Sequence, residues 1–464
     1  MTQLDSLGAA RARPLVAIVG SGFSGLMAAL HLLQADDGPS VMLIDRRSPF
    51  GLGAAYSTPN PLHLLNVRAG NMSAWPDRPT DFVEWLAKDR GLSVGPEMFA
   101  SRGEYGRYLQ QMLARVSQDP SCRDRLHIVP DEVVSITPQK DGWRMELGVG
   151  RSYFVDGVVL ASGNPPPAQL QVLSPRARAS AAYADNPWTW TAPKSLAGDG
   201  PILVVGSGLT MVDVVLTLTA QFPDRRVIAL SRRGLAPLSH EGPPPLVMPD
   251  PPVAGSPLQM MVWLRASAAR VGWRCAIDAI RPVTQTLWSG WTLKQKAQFL
   301  RHARPWWDVH RHRLGPEVAE RLAGLCKSGR LSLAKGRLLS IDLAPDGFAV
   351  EWRGRGERHA SHLTACAVIN CTGSAPPFNA KGGELIDQMR REGLLRADAL
   401  GLGVDADRDG RLIGRDGAYQ RRLYAIGPVI RGALWEIIAV PDIRNQAPRL
   451  AQALLSDLKV RTQV

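Results

Sequence analysis

At 464 residues the chain is too long for one ordinary hydrophobic core and long enough for two or three domains. An apolar fraction of 45% with 21% charged residues fits a globular protein and excludes disorder as the default. Lys and Arg total 55 against 42 Asp and Glu, and the resulting +13 favours anionic small molecules; the arginines are scattered without a basic tail, so nucleic acid is not an expected partner.

Met1 to Pro14 lacks an apolar leader core, and no stretch of about 18 apolar residues follows, so a cytoplasmic protein with no membrane partner is expected. Leu15 to Val19 is a short apolar run that breaks at Gly20-Ser21-Gly22-Phe23-Ser24-Gly25 and resumes as a helical pattern over Leu26 to Leu33. That is strand, tight turn and helix. Gly20 permits the turn, Gly22 lets backbone approach a pyrophosphate, and Gly25 allows close packing of helix on strand, with Phe23 and Ser24 at the end facing the phosphates. A second apolar strand, Val41 to Ile44, ends at Asp45, 20 residues beyond Gly25, where an acid binds ribose hydroxyls, and Arg46 follows it. A glycine turn with an unrelated surface Asp is the alternative.

The same grammar returns where Ile202 to Val205 runs into Gly206-Ser207-Gly208-Leu209-Thr210-Met211. Met211 occupies the third glycine position, so this helix is expected to pack less closely on its strand. Val227 to Leu230 ends in Ser231-Arg232-Arg233-Gly234 instead of an acid. Guanidinium groups there suit a ribose 2′-phosphate and favour NADPH over NADH; a solvated arginine pair is the alternative. Two further strand-to-glycine breaks end at Gly163 and Gly373. In two-dinucleotide flavoproteins such turns mark where the chain passes between domains, so both glycines join the candidate cofactor-binding set. Pro165-Pro166-Pro167 reads as a stiff linker.

The fold class that follows is α/β, with two Rossmann-like dinucleotide-binding domains, for FAD and NADPH, and a helical insertion. Residues 1–167 form the first part of the FAD domain, 168–365 the NADPH domain with its insertion at about 256–330, and 366–464 the returning part of the FAD domain. Ala236 to Pro257, containing Pro243-Pro244-Pro245, Pro249, Pro251 and Pro252, reads as an extended crossing loop. Leu258 to Gly329 reads as mostly helical and rich in Trp and Arg, suited equally to a homodimer interface or an active-site lid.

The stretch from Arg301 to Arg313 is the densest polar and aromatic cluster, with His302, Trp306, His310 and Arg313 on about one helical face, although Pro305 interrupts it. It is a candidate site for an anionic substrate, with Arg301 and His302 as candidate catalytic residues; stacking of Arg and Trp at a domain interface is the alternative. His310 and His312 lack the spacing of helical metal ligands, and no metal site is expected. The cysteines, Cys122, Cys275, Cys326, Cys366 and Cys371, are odd in number and widely spaced, which excludes a disulfide framework or a CxxC site. Cys371 beside Gly373 is assigned no redox role.

Several stretches together carry a resemblance. They are Gly53-Ala54-Ala55-Tyr56-Ser57-Thr58, His63-Leu64-Leu65-Asn66-Val67, Ser231-Arg232-Arg233-Gly234-Leu235, Phe299 to His302 through His310 to Arg313, Gly427-Pro428, Trp435-Glu436 and Pro441 to Ala447. Over almost the whole chain the sequence resembles the FAD/NAD(P)-binding proteins related to flavin-dependent N-hydroxylating monooxygenases. The resemblance implies that Gly20, Gly22, Gly25 and Asp45 hold the ADP part of FAD, and that Gly427 and the following helix lie against the flavin end. It implies that Asn66 sits near the isoalloxazine as a catalytic residue, its amide fixing nicotinamide or a flavin peroxide; bonding of a local turn is the alternative. Gly206, Gly208, Ser231, Arg232 and Arg233 carry over to NADPH. Where related flavoproteins show Gly-Asp near the C-terminus this chain has Gly427-Pro428, without that acid.

FAD carries the hard chemistry while the protein supplies position, polarity and protection. NADPH would be expected to deliver hydride to flavin N5, and reduced flavin then to meet dioxygen at C4a. A site that excludes water lets the hydroperoxide pass one oxygen atom to a substrate, and a wet one releases peroxide. The expected activity is an NADPH-dependent FAD monooxygenase, and family resemblance with basic charge implies N-hydroxylation of a small anionic or amino-bearing metabolite such as aspartate. An NADPH-dependent reductase, dehydrogenase or oxidase comes second. A flavin-binding sensor comes third, since it has no use for a Ser231-Arg232-Arg233 discriminator.

Overall fold

A computed structural model describes residues 13–191, 196, 198–242, 248–376, 378 and 383–459. The expectations about residues 1–12 and about Pro243-Pro244-Pro245 fall outside these. In chain order the strands begin with β1 (Leu15–Val19), β2 (Ser40–Ile44) and β3 (Leu126–Val129), then β4 (Val133–Gln139), β5 (Gly142–Leu147), β6 (Ser152–Val155) and β7 (Gly157–Leu160). They continue with β8 (Tyr183–Ala184), β9 (Ile202–Val205), β10 (Val227–Ser231), β11 (Leu331–Ala344), β12 (Gly347–Gly354), β13 (Ser361–Ala365) and β14 (Ala367–Asn370), and end with β15 (Arg411–Ile413) and β16 (Tyr419–Ala425).

These make a six-stranded sheet in the order β15-β16-β7-β1-β2-β3, a seven-stranded sheet in the order β13-β12-β11-β10-β9-β14-β8, and a three-stranded sheet β4-β5-β6. The centres of the two large sheets are parallel: β1 lies between β2 and β7, and β9 between β10 and β14. Strands covered on both faces read as continuous apolar runs, and Leu15, Val16, Ala17 and Ile18 are each 0% exposed. The helix Phe23–Leu33 is buried nearly all round because β1 and β2 lie beneath it and the C-terminal helix Val440–Lys459 packs over it.

The two motifs differ at their third glycine as expected. A Cβ on Gly25 would stand 1.9 Å from the Gly20 carbonyl oxygen, so only glycine lets this helix sit so close. In the second motif the helix Leu209–Gln221 instead accommodates Met211, fully buried.

The chain leaves the first large sheet after β7, near the expected boundary. Its return comes later than residue 366. β14 still pairs in parallel with β9, Ala367 to Asn370 against Ile202 to Val205, and the first sheet is rejoined only at β15 and β16. An apolar run as short as β14 carries no mark of which sheet it joins; its partner is set by the fold.

The insertion lies between β10 and β11 and is helical, with Pro257–Val271, Trp273–Ile280, Thr284–Gly290, Leu293–Gln298, Arg304–Arg311 and Pro316–Lys327. Capping boxes start two of these helices, Ser256 with Gln259 and Thr292 with Gln295. The tryptophans have a structural use. Met260, Ile277, Trp288, Phe299 and Trp307 form a separate core with Trp435 of the C-terminal segment. Trp288 stacks on Trp435 with centroids 4.7 Å apart, and its indole N–H donates to the Gly432 carbonyl at 2.9 Å. The insertion thus leaves the second sheet and docks on the first.

Gly25→Ala is expected to cost about 1–3 kcal/mol of folding stability, since helix and strand must separate to admit the methyl group. Chemical denaturation of the apoprotein measures it, and a change within about 0.5 kcal/mol would contradict the packing described.

Candidate functional site

Both glycine turns are built the same way. Gly20 has φ +105°, and a Cβ there would meet the Ala161 carbonyl oxygen at 2.4 Å; Gly206 has φ +115°, and a Cβ there would meet the Cys371 carbonyl oxygen at 2.2 Å. The strand-to-glycine breaks ending at Gly163 and Gly373 are therefore the backbone pressed against the first glycine of each motif. Gly163 and Gly373 themselves have positive φ and open space around them.

The first cradle is completed by Gly53, whose Cα lies 3.4 Å from where a Gly22 Cβ would stand, and by Gly427, where a Cβ would meet Ser24 Oγ at 2.3 Å. Gly427 N–H donates to Gln446 Oε1 at 3.0 Å, tying the C-terminal helix to the turn. Phe23, Ser24, Gly427 and Pro428 are all buried. The helices starting after Gly22 and Gly208 have no side-chain cap. Their first-turn N–H groups thus face the turns with a partial positive charge, which fits a dinucleotide's anionic phosphates.

Other expected contacts have partners within the protein. Asp45 Oδ2 accepts from Ser21 N–H at 2.9 Å and from Ser21 Oγ–H at 3.0 Å, so this acid fastens the glycine turn from the end of β2. Arg46 pairs with Glu132 at 3.0 Å. Ser207 Oγ lies 2.8 Å from Ser231 Oγ and 2.5 Å from the Leu235 carbonyl oxygen, and Gly234 N–H donates to Ser231 Oγ at 3.0 Å. The two serines lock the second turn to the end of β10. Beside them Arg232 is exposed, Arg233 half-buried, and Leu209 and Thr210 occupy the first helical turn.

Between the two units lies a crevice lined by Leu64, Asn66, Arg102, Leu209, Asp213 and Gly315, among others. Asn66 thus faces the second motif's helix. Its carbonyl accepts from His240 Nε2–H at 3.2 Å, and among the described residues its side-chain amide bonds no local turn. Burial, and then Arg313, push the His240 imidazole down to about 4, with Arg68 and Arg311 adding to the effect. Cys371 is buried and its thiol is pushed far up by that burial.

Arg301 and His302 do not enter this crevice. Both are exposed on the π-helical turn Phe299–Ala303. The single face expected for His302, Trp306, His310 and Arg313 does not form. Pro305 opens a new helix, Arg304–Arg311, which resets the phase, and Arg313 lies beyond its end. Trp306 is 52% exposed, whereas Arg313 is 3% exposed and paired with Asp278.

Sequence reasoning passed over a partly buried charge cluster where the insertion meets the C-terminal segment. Arg311 Nε lies 3.3 Å from Glu436 Oε2, and Arg281 Nη2 lies 3.6 Å from Asp442 Oδ2. None of these four atoms makes a hydrogen bond among the described residues. Glu436, with φ +66°, accepts from Trp307 Nε1–H at 3.0 Å. Burial opposes its ionisation, but His312, Arg311 and Trp307 together hold its carboxyl down at about 2. Burial raises Asp442 and lowers Arg281. Arg444, two residues beyond Asp442 on the helix Val440–Lys459, donates to the Ser73 carbonyl at 3.0 Å. Arg311, Glu436 and Asp442 lie in stretches that carry the resemblance, but nothing local announces their meeting with one another and with Arg281, which only the tertiary fold brings about.

Residues 17–165 match the family model described as FAD-NAD(P)-binding. The nitrosuccinic acid synthase of Aspergillus oryzae is 28% identical over 236 residues, covering 44% of this chain; the match spans only 35% of that protein's own length. The ornithine N-hydroxylase of Kutzneria sp. 744, solved with reduced FAD, NADP+ and L-ornithine, superposes with a TM-score of 0.64 at 15% identity, covering 98% of this chain and 100% of the other. The bacillithiol disulfide reductase of Bacillus cereus superposes with a TM-score of 0.56 at 14% identity, covering 96% and 99%. Residues 17–165 thus match an FAD-NAD(P)-binding model, and the chain as a whole shares its fold with the ornithine N-hydroxylase and the bacillithiol disulfide reductase.

Proposed function

We propose that this protein is an NADPH-dependent FAD monooxygenase that N-oxygenates a small amino acid carrying a second carboxylate, such as aspartate. The observation that carries the reading is the charge cluster of Arg281, Arg311, Glu436 and Asp442. The Arg311–Glu436 pair is buried and the Arg281–Asp442 pair half-buried, both are long, and their facing atoms lack hydrogen bonds. A ligand whose charged groups reach these atoms at closer range would supply the charge-assisted hydrogen bonds that the long pairs do not make. A zwitterionic dicarboxylate has the matching groups: carboxylates for the two guanidinium forks and an ammonium for Asp442 and Glu436.

When bound, FAD accepts hydride and activates dioxygen. The chain's own contribution is positional. Glycine turns and uncapped helix ends hold the phosphates, Asn66 supplies a free amide at the crevice, and the tryptophan core of the insertion covers the C-terminal segment against water. The solvent-facing Arg232 and half-buried Arg233 after β10 support NADPH over NADH. Domain roles follow the sheets, with FAD on the one containing β1 and NADPH on the one containing β9. The same fold in a disulfide reductase keeps a reductase without oxygen transfer as the second reading.

The test is anaerobic mixing with NADPH, followed by oxygen and a panel of amino acids. Flavin bleaching, then oxygen uptake matched by N-oxygenated aspartate, is the expected result. Bleaching with only peroxide formed across the panel would favour the second reading. Arg281→Lys keeps the charge and loses the fork, and is expected to raise KM for the amino acid about tenfold while leaving anaerobic reduction unchanged. An unchanged KM would remove Arg281 from substrate binding.

His240 gives a pH signature. Its folded pKa lies below the ordinary 6.5, at about 4, so its neutral form stabilises the fold fully above pH 6.5, and this stability is lost as pH falls toward 4. His240→Gln keeps a donor for the Asn66 carbonyl and removes the titration. Between pH 6.5 and 4 its Tm is expected to fall less steeply than that of the parent, by a few degrees. Parallel Tm profiles would refute the assignment.

A further inference from the structure

A second buried polar cluster joins the two units beside the crevice. Thr58, Asn60 and His63 precede Asn66, while Asp213 and Thr217 stand one turn apart on the helix Leu209–Gln221. His63 Nε2–H donates to the Asp213 carbonyl at 3.0 Å and lies 2.9 Å from Thr217 Oγ1. Because that carbonyl can only accept, the proton sits on Nε2, and Thr58 Oγ1–H donates to His63 Nδ1 at 2.8 Å. Asn60 Nδ2–H donates to Thr217 Oγ1 at 3.0 Å. Arg102 Nη2 lies 2.8 Å from Asp213 Oδ2, the side chains being 16% and 7% exposed. Trp188 covers the cluster from outside, edge-on to His63 at 6.4 Å.

Burying an ion pair and an imidazole adds little net stability, because desolvation offsets the attraction. What such a network does give is a single geometry. Its place in the fold tells which geometry. His63 stands three residues before Asn66, and Asp213 five residues after Gly208, so the cluster spans from the candidate flavin-side amide to the second nucleotide turn. Hydride transfer needs its atoms about 3–3.5 Å apart, and a 1 Å misplacement costs on the order of a hundredfold.

The geometry points to His63, with Asn60 and Thr217, as positioning residues that set the distance between the second nucleotide motif and the flavin side of the crevice, and so the rate of hydride transfer from NADPH. This rests on the two-cofactor reading above. Stopped-flow anaerobic reduction of the holoenzyme tests it, comparing the parent protein with His63→Ala, Thr217→Val and His63→Gln. The parent must itself be reduced by NADPH; if it is not, the two-cofactor reading fails and the inference falls with it.

Given a parent that is reduced, His63→Ala and Thr217→Val are expected to lower the limiting reduction rate about tenfold or more. The Kd for NADPH should change less than about threefold, with FAD content full and oxygen reactivity of dithionite-reduced flavin at the parent's rate. His63→Gln, whose amide N–H reaches the same acceptors, should recover most of the rate. Parental limiting rates in both truncating variants would overturn the inference, as would a loss of rate that merely tracks loss of FAD.

Discussion

The fold depends on a close approach of backbone to backbone made twice. At Gly20 and at Gly206 the chain turns with positive φ directly against the carbonyl of a neighbouring strand's end, Ala161 in one sheet and Cys371 in the other. Any side chain would push the strand away. With the side chain absent, the turn lies in the sheet's own plane and the following helix starts above it with its N–H groups unused. Each large sheet is organised outward from that point, with β1 and β9 central and the crossing strands β7 and β14 alongside.

Much of this was legible in the sequence, because glycine turns and apolar strands are local. Gly20 to Gly25, Gly206 to Gly208, the paired breaks at Gly163 and Gly373, and the helical insertion all stand where their patterns put them. Two expectations did not hold. β14 belongs to the second sheet, since pairing partners of a four-residue apolar run are chosen by the fold. The face through His302 and Arg313 is broken by the phase reset at Pro305, and Arg301 and His302 point outward. The charge cluster of Arg281, Arg311, Glu436 and Asp442 was illegible for a related reason. Its members lie up to about 160 residues apart in sequence, and a buried arginine looks like any other arginine on the page.

Electrostatics divides the interior into two regimes. Around Asn66 the charges are either matched at close range, as in Arg102 with Asp213, or suppressed, as in His240 kept neutral by burial and nearby arginines. Beneath the insertion the pairs are longer, 3.3 and 3.6 Å against 2.8 Å for Arg102 with Asp213. A closely matched network resists change, whereas a loosely matched one responds to what enters it. The contrast separates a region that holds geometry from one able to recognise a solute.

The docking of Trp288 on Trp435 and Gly432 has a consequence for how this architecture can be altered. The insertion hides Trp435 with the core of Trp288, Phe299 and Trp307. Excising it to leave a minimal pair of nucleotide sheets would bare that aromatic surface on the opposite unit, and the shortened chain would self-associate. The insertion is thus also a cover for the first unit, and it can be varied residue by residue more readily than removed.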